Sequence, residues 1–259
     1  MNCKKLVGRL WIFLSFFPST CAITLIPSKE IELIGWQVWQ NESSRNLKKL
    51  LAWNNGEEGP SVGIAHFTWY PANSSRPNAG TFPELVEFLK KNGHPLPKEL
   101  GHLKETKTFY APWSSRQEFL AQLYSPRTQA LRHYLLSTIA LQMKFIAQRT
   151  ENALPILMRV ARKNQQEEHV IYQFKRLLST AQGRYAAVDF INLSGEGGFY
   201  TVLVNLHGKS STDAVKEFCT VAQSVLTKQA HRSLNNQARH WLPGWKNRIN
   251  TYLYFGQYK

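Results

Sequence analysis

Glu42 is the residue whose type and position say most about chemistry. It lies eleven residues after Ile31 and seven after Gly35, so it continues the apolar stripe of a helix predicted to start after Pro27-Ser28 and run to about Asn41. A carboxylate on such a stripe is costly unless it is paired or neutral, and a helix C-terminus disfavours negative charge. Both effects favour the protonated form, in which a glutamic acid serves as a general acid. The bland reading is a helix-end glutamate turned to solvent. Downstream, the alternation along Ser61-Val62-Gly63-Ile64-Ala65-His66-Phe67 puts Ser61, Gly63 and Ala65 on one strand face. A face of small residues lets a ligand or another chain approach the backbone. Val62, Ile64 and His66 fall on the packing face, which favours a structural, hydrogen-bonded His66 over the catalytic role its type also invites. Trp53, Phe67, Trp69 and Tyr70 crowd the same region. Their rings suit the apolar faces of sugars, or simply pack.

The elements that must position these groups are mostly helical. Leu47 to Trp53 follows the first helix, Asn55-Gly56 marks a tight turn, and Ser61 to Trp69 is predicted as one strand. Pro71 to Thr108 is loop-rich, with a short helix from Pro83 to Lys91 stopped at Gly93. Ser115 and Glu118 form a capping box. A long helix is expected over Pro126 to Arg149, with Pro155 restarting another. Further helices are expected at Gln166 to Thr180 and Gln182 to Asn192, with two or three more between Thr212 and Leu253. The fold class is therefore α+β, predominantly α-helical, with one small β-hairpin lobe near the front.

The first 22 residues read as an export signal: Lys4, Lys5 and Arg9, an apolar run from Leu10 to Phe17, and a Thr20-Cys21-Ala22 end. The run is far short of the ~20 residues that span a bilayer. The expected location is therefore the periplasm or outside the cell, with a lipid on Cys21 as the alternative. Residues 23–259 suit one domain with its own core. Cys219 is its one clearly internal cysteine, so no internal disulfide is expected. Three of the 32 basic residues lie in the signal and none of the 17 acidic ones does, leaving 29 positive against 17 negative side chains. Such a balance implies an anionic partner, either a wall polymer or an anionic membrane or envelope surface, and export argues against nucleic acid. His102, His133 and His169 are scattered without ligand spacing. Gly195-Glu196-Gly197-Gly198 lacks the setting of a phosphate loop. No metal and no other cofactor is expected.

Glu42, followed by the gapless stretch from Trp53-Asn54-Asn55-Gly56 to Ser61-Val62-Gly63-Ile64-Ala65-His66, resembles the opening of phage-type lysozymes of glycoside hydrolase family 24. Tyr185-Ala186-Ala187-Val188-Asp189-Phe190-Ile191-Asn192-Leu193-Ser194-Gly195 is similar to that family's central helix. Leu242-Pro243-Gly244-Trp245-Lys246-Asn247-Arg248-Ile249 is similar to its C-terminal segment. The three pieces cover under half of residues 23–259. The departures are specific. The family's hairpin Asp falls on Asn55, its catalytic Thr on Ser61 and its last strand Gly on Ala65. The stretch between Glu42 and the hairpin is four residues longer, and an insertion of about 71–181 separates hairpin from central helix. Glu42-Ser43 followed by Gly63-Ile64-Ala65-His66-Phe67 also resembles lytic transglycosylases of the same superfamily, which use one glutamate as both acid and base.

The resemblance implies a lysozyme-like fold and cleavage of peptidoglycan glycan strands by a muramidase-like glycosidase with Glu42 as general acid. Asn55 cannot act as base, so Glu57 or Glu58 in the same turn would hold the water ~6.5–9.5 Å from the acid, with Ser61 positioning it. Both glutamates read equally as solvated turn charge. Trp53, Asn55, Gly63, Asn192 and Ser194 would line the cleft, with Glu196 as a further carboxylate. The alternatives are a lytic transglycosylase with Glu42 working alone, or a peptidoglycan-binding or interaction protein that kept the fold and lost the base.

Overall fold

The computed structural model of the chain describes residues 25–103, 109–232 and 236–256. The segment read as an export signal lies outside them. The first helix, α1 (Ser28–Ser43), buries Ile34, Gly35, Val38 and Trp39. It ends because Ser44 and Arg45 turn left-handed (φ 54° and 55°) and Ser44 N–H bonds back to the Gln40 carbonyl at 2.9 Å. That stop leaves Glu42 in the last turn. Side-chain atoms of Met143 occupy the space a Cβ would need at Gly35, so α1 lies close against the helix that carries Met143.

A 3₁₀ turn at Leu47–Leu50 leads into a three-stranded antiparallel sheet of order β1 (Leu51–Ala52), β2 (Ser61–Val62), β3 (Phe67–Thr68). Leu51 pairs with Val62, and Ser61 with Thr68. The single strand expected over Ser61 to Trp69 is therefore two short ones joined by a turn at residues 63–66. Gly63 sits at φ 77° and His66 at φ 50°. Gly63 N–H bonds the Leu50 carbonyl at 2.8 Å, and Ile64 N–H bonds Gln142 Oε1 at 3.0 Å. These bonds turn the chain back, and the expected two-residue alternation lapses after Val62. Trp69 packs among Phe82, Phe109 and Trp113 beneath the sheet.

Among the described residues eight more helices follow: α2 (Phe82–Lys91), α3 (Arg116–Ala121), α4 (Pro126–Ser137), α5 (Ile139–Lys163), α6 (Glu167–Leu178), α7 (Ala181–Val204), α8 (Ala214–Arg232) and α9 (Asn236–Asn250), then a 3₁₀ turn at Thr251–Tyr254. The capping box is half as expected. Glu118 N–H bonds Ser115 Oγ, but the Glu118 carboxylate returns to Ser114 N–H at 2.8 Å. The long helix expected to Arg149 breaks at Thr138 instead, and the next runs through Pro155. Side chains supply what the break takes away. Thr138 Oγ1 donates to the Tyr134 carbonyl at 2.8 Å, and Gln142 Nε2 donates to the Leu135 carbonyl at 2.7 Å. The helix expected over Gln182 to Asn192 does stop close to there, at a non-helical Gly195 (φ 68°, ψ 178°), and a second helical stretch of α7 runs on to Val204.

One apolar cluster joins the sheet, α2, α5, α7 and α8. At its centre α7 buries every residue from Tyr185 to Ile191. The stretch expected as an insertion supplies α5, which packs against both α1 and α7 and so belongs to the core. Cys219 is buried and free, and burial pushes its thiol up to about 12. Among the described residues no helix is long and apolar enough to cross a membrane.

Candidate active site

Four separate stretches of chain meet at the end of α1. Tyr185, Asp189 and Asn192 stand four and three residues apart on α7, hence on one helix face. That face meets Asn41 and Glu42. Asn192 Nδ2 donates to Glu42 Oε1 at 2.9 Å and to the Ala65 carbonyl at 3.1 Å, tying α1, α7 and the 63–66 turn together. Arg149 of α5 reaches Asn192 Oδ1 at 3.4 Å. From α9, Arg248 Nη1 lies 2.7 Å from Glu42 Oε1, and His66 Nδ1 lies 3.4 Å from Glu42 Oε2. The Glu42 side chain keeps 13 % of its surface, so the carboxylate is partly open.

Behind Glu42 lies a second, closed carboxylate. Asp189 is fully buried. Its Oδ1 accepts from Arg248 Nη2 at 2.8 Å and Asn41 Nδ2 at 3.3 Å; its Oδ2 accepts from Arg248 Nε and from the Tyr252 hydroxyl, each at 2.7 Å. Asn41 also donates to the Tyr185 hydroxyl at 2.6 Å. Burial alone would weaken the guanidinium's hold on its proton, yet Asp189 and Glu42 carry Arg248 well above its ordinary range. Burial, with Asp189 adding to it, pushes the Tyr252 hydroxyl well up, so it stays a donor. Burial does the same for Tyr185.

Arg248 and Asn192 both engage the Glu42 carboxylate, a partnership that the isolated reading of the α1 stripe did not contain. Charge counting shows what remains. One guanidinium faces two carboxylates, and Asp189 takes the bidentate share along with two further donors. Glu42 is thus the less committed acid of the pair and the one with access to solvent.

Of the residues singled out from sequence, Glu42, Asn192 and the turn following Gly63 come together. Gly63 serves the fold, since Gln142 Oε1 would lie 2.6 Å from a Cβ there. Ser61 is buried in β2. Trp53 is 6 % exposed, with Nε1 on the Glu57 carbonyl at 2.9 Å and its ring against Phe119, so it is committed to packing. Asn55 is exposed at the turn. Glu57 bonds back to Asn54 N–H at 3.1 Å and Asn54 Nδ2 at 2.9 Å. Glu58 accepts from both Ser75 Oγ and Ser74 Oγ at 2.7 Å, which hold it below the usual carboxylate range. Ser194 packs against Gly198 and lines a cavity with Leu226, Gln229 and Trp245. Glu196 lines another with Glu84, Glu87 and Arg149.

His66 is the clearest departure. The strand alternation faced it into packing, whereas its left-handed backbone aims it at Glu42. Asp189 and Arg248 were not singled out. An aspartate inside the apolar run Tyr185–Ile191 does signal a buried cation, but only the fold shows which of the basic residues supplies it. Comparison of the chain with protein-family models, with curated proteins and with solved structures found no match, so the site stands on its own geometry.

Proposed function

We propose that this chain has a lysozyme-like fold and cleaves the glycan strands of peptidoglycan as a muramidase-like glycosidase, with Glu42 as the acid that protonates the leaving oxygen. One observation carries the reading. The three stretches that separately resemble phage-type lysozymes meet at a single carboxylate: Glu42, Ala65 and His66 come from the first, Asp189 and Asn192 from the second, Arg248 from the third. Asp189 is fully buried and holds Arg248 by two bonds, so Glu42 is the carboxyl of the cluster that keeps access to solvent. Arg248 and Asn192 then stabilise the carboxylate left after protonation of the glycosidic oxygen, which is charge stabilisation where charge develops. The basic balance, 32 Lys and Arg against 17 Asp and Glu, suits an anionic wall polymer, and export through residues 1–22 would bring the protein to it.

A second reading, a lytic transglycosylase, is favoured by the turn glutamates. Glu57 and Glu58 are each engaged within their own loops, and a mechanism using the sugar's own 6-hydroxyl needs no second carboxylate. Digestion of purified peptidoglycan by wild type and Glu42→Gln, with products weighed by mass spectrometry, tests both. Reducing-end muropeptides from wild type alone are the expected result, while anhydro-sugar products would establish the second reading. No products from either protein across several wall types would leave a peptidoglycan-binding protein and end the enzymatic proposal.

A further inference from the structure

Three features of His66 coincide. Its backbone is left-handed (φ 50°), a conformation in which His is enriched along with Asn and Asp, and here it turns the ring out of the strand alternation. Its Nδ1 faces Glu42 Oε2 at 3.4 Å. Its Nε2 is buried and has no hydrogen-bond partner among the described residues, unusual for a ring nitrogen whose role is to be satisfied in a core. The charged groups around it are Glu42 at the end of α1, Asp189 on α7 and Arg248 on α9, with Arg149 of α5 one step further through Asn192. In direct contact, two carboxylates face one guanidinium, with Arg149 one residue away on Asn192, so a proton shared between Glu42 and the imidazole is favoured at the partly open end of the site, and its two placements are states of one coupled pair.

We propose that His66 is the proton partner of Glu42, a positioning residue that holds the proton while Arg248 and Asn192 hold Glu42 as a carboxylate; this rests on the glycosidase reading above. In the step that follows, the His66 Nδ1–H bond breaks as an O–H bond forms on Glu42 Oε2, leaving both groups neutral. Glu42 then passes that proton to the glycosidic oxygen, which keeps the electron pair of the breaking C–O bond. The incoming hydroxyl, from water or from the sugar itself, makes the new C–O bond. The proton it releases returns to the Glu42–His66 pair. One proton leaves the site and one comes back, with no other reactant.

The test is an NMR titration of the His66 imidazole in wild type and Glu42→Gln, assigned among the eight histidines by its loss in His66→Gln or His66→Asn. The wild type is expected to take up its proton at least about one pH unit above Glu42→Gln, a tenfold difference in proton affinity. Equal midpoints would overturn the pairing whether or not the protein cuts cell wall, and the assignment needs only one of the two His66 variants to fold. Peptidoglycan digestion is run beside it. His66→Gln is expected to lose ~10²-fold in kcat with KM unchanged, and its rate is expected to fall less steeply with rising pH than that of wild type. A folded His66→Gln with the wild-type kcat and pH profile would overturn the proton-holding role. A wild type that cuts no wall, with the titration difference intact, would fault the glycosidase reading and leave the pairing standing.

Discussion

Arg248 holds Asp189 by the side of its guanidinium fork, Nε to Oδ2 at 2.7 Å and Nη2 to Oδ1 at 2.8 Å, which leaves Nη1 free to reach Glu42. The pairing joins α9 to the centre of α7, so the C-terminal helix anchors both the core and the site. Replacing Arg248 by Met would leave Asp189, fully buried, without its cation. Breaking a buried pair from one side costs about 3–5 kcal/mol. Urea denaturation of Arg248→Met is expected to show a loss in that range, and a loss below about 1 kcal/mol would mean that Asp189 is neutral in the folded protein. Arg248→Lys should fall between the two, because an ammonium cannot make the fork.

A second ion pair, Arg176 with Glu217, should make stability depend on acid pH. Arg176 is 5 % exposed, and its Nε and Nη1 have no hydrogen-bond partner among the described residues, so Glu217 is its anionic partner. Partial burial works against the Glu217 carboxylate, but the His207 and Gly208 amides and Arg176 outweigh it and lower the group below its ordinary value. A carboxylate lowered on folding stabilises the protein above its unfolded value of about 4.3, and that contribution is lost as pH falls through the lower folded value. Glu217→Gln should therefore cost about 2 kcal/mol at neutral pH, the scale of hydrogen bonds to a charged group. The gap to wild type should narrow as denaturation is repeated below about pH 4.5. A gap that stays constant down to pH 3 would show that the pair does not titrate with folding.

The 63–66 turn links stability to the site. Gly63 has φ 77°, and a Cβ there would lie 2.6 Å from Gln142 Oε1, which is itself bonded to Ile64 N–H. Gly63→Ala combines a left-handed alanine with displacement of a buried amide, and each costs about 1 kcal/mol or more. The expected result is a loss of about 2–3 kcal/mol and, on the proposed glycosidase reading, a fall in peptidoglycan cleavage, since the turn carries Ala65 and His66. An alanine variant as stable and as active as wild type would show that the turn can shift without moving the site.

Parts of this arrangement were legible in the residues, and the physical reasons separate them from the rest. The start of α1 and the position of Glu42 near its end follow from local periodicity and from Pro27-Ser28. The Asn55-Gly56 turn follows from glycine's access to positive φ, and Gly56 takes φ 81°. The turn at Gly63 is held by Gln142, which lies 78 positions from Ile64 along the chain, so no local pattern could report it. Pro155 signals a helix boundary locally, yet α5 continues through it, because Ala153, Leu157 and Ala161 on the same helix are buried in the core and tertiary packing overrides propensity. His66 was misplaced for a related reason. Two-residue alternation assumes an unbroken strand, and the chain leaves the strand conformation at Gly63.

Asn192 offers the sharpest test of how the site is assembled. Its Nδ2 is shared between Glu42 Oε1 and the Ala65 carbonyl, and Arg149 holds its other end. Asn192→Asp keeps the shape but replaces a donor with a second negative charge beside Glu42. Two carboxylates in contact cannot both ionise cheaply, and one proton bound between them restores a donor. If the chain is the proposed glycosidase, the variant is expected near neutral pH to lose ~10²-fold in kcat, the scale of removing one donor aimed at a developing charge. Acidification should recover part of that loss. Asn192→Ala, which lacks any group to protonate, should lose activity at every pH without recovery. Rates of peptidoglycan digestion for the two variants between pH 4 and 8 decide the matter. Parallel pH profiles for the aspartate and alanine variants would mean that Asn192 shapes the fold around Glu42 rather than its charge.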